Sequence, residues 1–443
     1  PPRSTQSRSS AASDVYKRQT ISEGTNNVLN LGSFVFGITG VIICLVVVVA
    51  PYKILEVMSA ESINFLGLDL GKNGALGLLL TSGVIVAAIT QPLIGSISDR
   101  VNLKIGKRLP FILISGTGTS ISLITIYFAS SFYLLVGSWI LIQFFANLGE
   151  GPANALLKDH VHESKFGTAS GKFNFLRVAG ALAALIGSLQ FMNLYDNSDN
   201  KMFFFLAIIY LIFLTLVSTF WSFISLKNPD YSNSSQGENK VSKKTSKWDL
   251  AIVLIIFSVT LFSFTSLQSY ALFLLSDVLE VENLSLMMTG VIIALGLSVG
   301  ASIIPAGKLS DKYGRKSVLI YGGLIGCISC YLLIIFHTPI MVLLLCCGIG
   351  LAVGSMFSAI WALTNDVISK DNAGSQIGLL AIGFLIAGLS ARIAGILIDF
   401  LNNKVENLGY FSLLAIAGSC FILGPMATFL IKESNNESIS NKS

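Results

Sequence analysis

Gly307-Lys308-Leu309-Ser310-Asp311-Lys312-Tyr313-Gly314-Arg315-Lys316 is a short basic connection between two long apolar runs, opening with Gly and Asp and closing with Gly and two cations. A looser copy, Gly95-Ser96-Ile97-Ser98-Asp99-Arg100 through Gly106-Lys107-Arg108, precedes it, with Gly106 standing 208 residues before Gly314. Cations alone would say little, because basic loops anchor any polytopic protein on its cytoplasmic side. The glycines and the Asp say more. Glycine permits tight turns and close helix contact, while Asp caps a short helix or binds neighbouring cations. One such loop can arise by chance; two at matching places mean that the chain is a duplication.

Working outward, the flanking sequence is far too apolar for a soluble protein of 443 residues: 53% hydrophobic, 12% charged, with a mean hydropathy of +0.74. The apolar matter comes in stretches of about 20 residues, the length that crosses some 30 Å of hydrocarbon as helix. Helix is the only credible backbone, since isolated strands leave their amides unsatisfied in lipid. The net charge of +5 is no nucleic-acid signal, because the cations sit in short connections. Cys44, Cys327, Cys330, Cys346, Cys347 and Cys420 all lie in apolar runs. Cys327 and Cys330 share a helix face but have no His or acidic neighbours, so no metal is expected and small-residue packing accounts for them.

Twelve spans are expected, over 32–56, 74–95, 110–129, 132–157, 168–193, 201–225, 249–275, 286–307, 317–336, 339–363, 374–400 and 409–431. They group into an amino-terminal six-helix half (32–225), a Ser-, Asn- and Lys-rich linker (226–248) and a carboxy-terminal half (249–431), with polar tails at 1–31 and 432–443. Residues 1–19 read as adaptor-derived and are left out of the fold. With the amino end inside, the interior connections hold 16 Lys and Arg; the exterior ones hold Lys72, Lys201 and Lys404. Both termini are therefore expected in the cytoplasm of a cell-membrane protein. The repeat extends further. Ala155-Leu156-Leu157-Lys158-Asp159 ends the fourth span with Gly167 eight residues on, and Ala362-Leu363-Thr364-Asn365-Asp366 ends the tenth with Gly374 eight residues on.

The ten residues from Gly307 resemble the signature loop of the major facilitator superfamily, which joins the second and third spans of each six-span half. The glycines, the Asp and Arg315-Lys316 fall position by position where that family has them. The four-residue excess between Asp99 and Gly106, followed by Pro110-Phe111, is similar to the glycoside-pentoside-hexuronide and sucrose-type symporter branches. The resemblance implies an all-α fold of twelve transmembrane helices in two pseudo-symmetric halves. It also implies alternating access, with Gly95, Asp99, Arg100, Gly106, Lys107, Arg108, Gly307, Asp311, Gly314, Arg315 and Lys316 as gating loops and Asp159 and Asp366 at cytoplasmic helix ends. Asn147-Leu148-Gly149-Glu150-Gly151-Pro152-Ala153-Asn154 resembles the fourth span of the sucrose branch. That branch, however, has Arg where this chain has Asn154, and its membrane acid falls at Gln143. The architecture carries over; sucrose does not.

Ionisable residues deep in a span are costly and therefore informative. Three qualify: Glu150, Arg177 and Arg392. Glu150 and Arg177 both fall roughly 12 to 14 Å from the cytoplasmic end at about 1.5 Å per residue, so they can meet. An acid whose protonation depends on a nearby Arg is a coupling device; a plain ion pair between two helices is the other reading. Arg392 is expected to pair with Asp399 or to snorkel outward. Gln143, Asn147, Asn154, Gln268 and Tyr270 are the substrate-cavity candidates, because amides and hydroxyls with apolar faces suit polyhydroxylated ligands, although such residues also pack helices. No nucleotide-binding glycine loop, nucleophile elbow or His–carboxylate metal spacing is present, so neither an enzyme nor an ATP-driven pump is expected. The expectation is a monomeric transporter in the lipid bilayer, without cofactor or nucleic-acid partner. It would move a small solute of sugar or glycoside class with protons, sodium being the second choice of ion. The rivals are a proton-coupled exporter of drugs or metabolites on the same fold and a solute receptor that moves nothing.

Overall fold

A computed structural model describes residues 28–58, 62–65, 67–101, 105–161, 166–226, 247–279, 283–367 and 373–431. Among them are twelve helices long and apolar enough to cross a bilayer. In chain order they are Ser33–Val57, Lys72–Arg100, Leu109–Phe128, Phe132–His160, Phe166–Ser198, Lys201–Leu226, Lys247–Leu279, Leu284–Tyr313, Arg315–Ile335, Pro339–Val367, Ala373–Asn402 and Leu408–Met426. Large apolar side chains such as Ile121, Phe213, Leu297 and Ile340 stand exposed along them, as a lipid solvent requires.

The first span changes pitch midway. An α-helical part, Ser33–Cys44, gives way to a π-helical turn over Leu45–Val49 before α-helix resumes at Ala50–Val57 with Pro51 in its first turn. Proline has no N–H to return to the preceding turn, and the wider turn absorbs that break. Two short antiparallel strands, β1 (Ile63–Phe65) and β2 (Leu68–Leu70), pair Ile63 with Leu70 and follow the first span; the sequence reading did not foresee them.

The connection at 307–316 proves to be almost wholly helix, and the one at 95–108 is helix over its first six residues. The second span runs on through Asp99 to Arg100, and the eighth runs to Tyr313, leaving Gly314 alone between it and the helix that opens at Arg315. Gly314 (φ +89°) and Gly106 (φ +99°) take left-handed backbone that side-chain-bearing residues avoid, and Gly314 makes the break between its two helices by itself.

The chain forms two compact units. One contains the described residues up to Leu45 and from Ile85 to Leu226; the other contains Val46 to Val84 and everything from Lys247 on. The sequence reading divides the chain at 226–248, of which 227–246 lie outside the described residues, as do the tails 1–27 and 432–443. In the first unit Phe34, Val35, Ile38, Ile112, Ala146 and Phe173 form a buried core. Helices in lipid gain nothing by burying apolar surface and must touch through small residues. A methyl at Gly180 would lie 1.9 Å from the carbonyl of Phe36, so the first and fifth spans meet backbone to backbone. In the second unit Gly323 approaches the Phe421 carbonyl in the same way.

Candidate transport site

The fourth span organises the first unit. Gly149 fits against Ser115 and Phe34 with no room for a side chain, and Gly151 lies against the Gln91 carbonyl. Pro152 leaves the Leu148 carbonyl without its helical donor. This close fit carries Gln143, Asn147, Glu150 and Asn154 on one stripe, at the three- and four-residue steps of a helix face.

Glu150 and Arg177 meet. Arg177 Nη1 donates to Glu150 Oε1 at 2.7 Å and to Thr39 Oγ1 at 3.2 Å, while Nη2 donates to Asn154 Oδ1 at 2.7 Å. The guanidinium carbon also stands 5.6 Å from the centre of the Phe173 ring, one turn back on the fifth span. About a fifth of each charged side chain stays open, 21% for Arg177 and 22% for Glu150, so the pair is neither sealed nor freely solvated. One turn on, Gln91 Nε2 donates to Asn147 Oδ1 at 2.7 Å, and Asn147 Nδ2 donates to the carbonyl and the side-chain oxygen of Gln143. Beside this amide chain an apolar groove of about 430 Å³ runs between the second and fourth spans, lined by Ile89, Thr90, Leu93, Ile140 and Phe144 among others. Thr39 and Gln91 are the partners that the sequence reading missed. Gln91 carried the same signal as Gln143, an amide inside an apolar span.

The second unit holds the remaining candidates. Ser263, Thr265, Ser266 and Ser269 turn their hydroxyls to carbonyls of their own helix, so they are satisfied without a ligand. Gln268 is half-buried. Tyr270 is fully buried, and its hydroxyl donates to the Arg392 carbonyl between Gly77 and Gly395; in this structure it fastens helices rather than offering its hydroxyl to a cavity. Arg392 does not pair with Asp399. That carboxylate accepts from the backbone N–H groups of Asn73 and Gly74 and from the Asn73 side chain, capping the head of the second span from the eleventh. Around it, Lys72 pairs with Asp277 at 2.7 Å, and the Tyr410 hydroxyl donates to Asp277 and accepts from Asn73. This network explains why residues 46–84 pack with the carboxy-terminal spans.

The two basic connections share one internal bond. Arg108 donates to Asp99 at 2.6 Å and to Ser98, and Arg315 donates to Asp311 and Ser310. Gly95 and Gly307 lie one turn before these pairs. Arg100, Lys107 and Lys316 add charge beside them. The side chains of Asp159 and Asp366 lie outside the described residues.

The model of the Major Facilitator Superfamily matches residues 29–392, most of the chain. The chain belongs to this superfamily. As a member it is a membrane transporter and not an enzyme. It is 31% identical over 142 residues to an uncharacterised transporter of Buchnera aphidicola, a match covering 31% of this chain and 34% of that one. An uncharacterised MFS-type transporter of Methanocaldococcus jannaschii is 26% identical over 79% of this chain and 86% of its own length. The multidrug resistance protein MdtG of Yersinia enterocolitica is 24% identical over 68% of this chain and 74% of its own. Among solved structures, a bacterial homologue of the human lysosomal transporter Spinster, inward-facing and occupied, superposes with a TM-score of 0.68 over 91% of this chain and 95% of that one, at 14% identity. The same homologue inward-facing and unoccupied gives 0.65. These two likenesses establish the fold.

Proposed function

We propose that this superfamily member is a secondary transporter that couples a small solute to protons by alternating access, with Glu150 as the group that takes and gives the proton. The observation that carries the reading is the partly open Glu150–Arg177 pair, held by Thr39 and Asn154. A carboxylate whose charge is matched by one nearby arginine loses that match when a solute draws the arginine away, and it then binds a proton. The amides of Gln91, Asn147 and Gln143 bond to one another beside an apolar groove, and a solute that took over those bonds would meet hydrogen-bonding groups next to flat apolar surface, which supports a sugar or glycoside. The likeness to a multidrug resistance protein favours a second reading, proton-driven export of drugs or metabolites, through the same carboxylate. In either direction the basic connections at 95–108 and 307–316 are expected to face the cytoplasm of a cell membrane, as are both termini, and to act as gates.

The test is a pair of assays in proteoliposomes. Glu150→Gln should abolish accumulation driven by a pH gradient while leaving solute counterflow, which needs no proton step, within a few-fold of the unaltered protein. Gradient-driven accumulation that survives in Glu150→Gln would place the coupling group elsewhere and leave the pair structural.

A further inference from the structure

Among the charges within the described spans that the transport scheme leaves unused, Arg392 stands deepest and without an acidic partner. Its side chain points back along the eleventh span, placing Nη1 3.2 Å from where a methyl on Gly388 would stand, beside Val84 of the second span. Gly388 lies about 21 to 22 Å from either end of its helix at about 1.5 Å per residue, so the guanidinium sits at the middle of the span and not at a surface. Asp399, the acid that sequence offered it, lies in the opposite direction and is taken up by Asn73 and Gly74. Among the described residues no carboxylate reaches Arg392, and its Nε is buried without a hydrogen-bond partner. The residue as a whole keeps some exposed surface. Its main chain is clamped by Tyr270 and by the close approach of Gly77.

A guanidinium is always charged and carries five donors in a fork that matches carboxylate or phosphate. Held at mid-span with neither counter-charge nor full solvation, it is costly unless an anion comes to it. We infer that Arg392 is a binding site for an anionic group, a carboxylate or a phosphate, that enters beside Val84 and Gly388. The inference deepens the transport reading by making the solute an organic anion or amphiphile, a sugar acid or sugar phosphate being the polyhydroxylated case. A lipid headgroup presents the same chemistry.

The measurement requires no transport, so its outcome is independent of the Glu150 assays. The six native cysteines are replaced and Val84→Cys is introduced as the single thiol in phosphatidylcholine proteoliposomes. The thiol is then labelled with anionic 2-sulfonatoethyl methanethiosulfonate and with its cationic trimethylammonium counterpart. With Arg392 present, the ratio of anionic to cationic labelling rates should exceed that in Arg392→Gln by roughly tenfold, the effect of one nearby charge at intermediate dielectric. Arg392→Lys should keep most of the preference. A thiol that neither reagent reaches, or a ratio unchanged in Arg392→Gln, overturns the inference, because the guanidinium then faces lipid or packed protein. Adding phosphatidylglycerol separates the sources of the anion: a preference lost in its presence assigns the site to lipid headgroups, and one retained assigns it to a dissolved solute. Should Arg392→Gln fail to insert, Val84→Asp and Val84→Asn in the unaltered chain decide. A carboxylate delivered to an orphan guanidinium should give the higher melting midpoint, and an Asp variant melting no higher than the Asn variant refutes the site.

Discussion

At the scale of single residues, Arg177 does more than neutralise Glu150. It is the donor for three acceptors on two other spans, so its removal orphans Glu150, Asn154 and Thr39 together. Glu150→Gln, by contrast, keeps an oxygen for Arg177 to bind. Stripping one partner from a buried pair costs about 3–5 kcal/mol, and the partial exposure here lowers that to about 1–3 kcal/mol. Melting of the purified protein should therefore rank the unaltered chain first, Glu150→Gln second and Arg177→Ala last. An Arg177→Ala protein as stable as Glu150→Gln would mean that the guanidinium is dispensable to the fold. The meeting of Glu150 and Arg177 was legible in sequence because helix rise converts residue number into depth. The third partner was not, since Thr39 is one hydroxyl among many in apolar helix and only the packing of Gly40 on Gly180 brings the first span close enough.

At the scale of elements, the second span is built to lie against the eleventh at its hairpin end. A methyl at Gly77 would stand 2.1 Å from the Arg392 carbonyl, and one at Gly395 the same distance from the Asn73 carbonyl. Backbone lies against backbone there, with Asp399 closing the helix end. Gly77→Ala must push the two spans apart, and it should lower the melting midpoint and impair transport despite alanine's better helix propensity. Gly300→Ala, in the eighth span with nothing within 4 Å of the added methyl, should gain up to about 1 kcal/mol and leave transport intact. Equal behaviour of the two variants would show that the contact at Gly77 is not needed. This partnership was not legible in the sequence. Hydropathy locates spans one at a time, and nothing in Lys72-Asn73-Gly74 says that its acceptor lies 326 residues away at Asp399. It also drew the basic connections as loops, because charge ends an apolar run while the helix itself continues to Arg100 and Tyr313.

At the scale of the whole molecule, the duplication supplies the scaffold and departs from itself at the charges. Shifting by the 207 residues that relate Asp159 to Asp366 carries Glu150 onto Phe357 and Arg177 onto Phe384, and carries Arg392 back onto Leu185. Each half therefore has a mid-span charge where the other is apolar, so these residues serve tasks that the two halves do not share. The basic connections behave differently. Both keep an Asp bonded to an arginine across a left-handed glycine, although the order of the cations differs: Arg108, second after Gly106, takes the part that Arg315, first after Gly314, takes in the other half. A device retained twice points to a motion that both halves make. Asp99→Asn and Asp311→Asn should therefore share one phenotype. Because Asp99 and Asp311 are 64% and 72% exposed, the loss is modest: transport slowed roughly two- to fivefold, with equilibrium solute binding within a few-fold of the unaltered protein. Combining Asp311→Asn with Arg315→Gln should add little to either alone, since each removes the same bond. Rates and binding measured side by side in these variants decide the point. A large loss of binding at either Asp, or full additivity of Asp311→Asn with Arg315→Gln, would show that the connections recognise the solute or act through separate contacts instead of gating the cycle as paired latches.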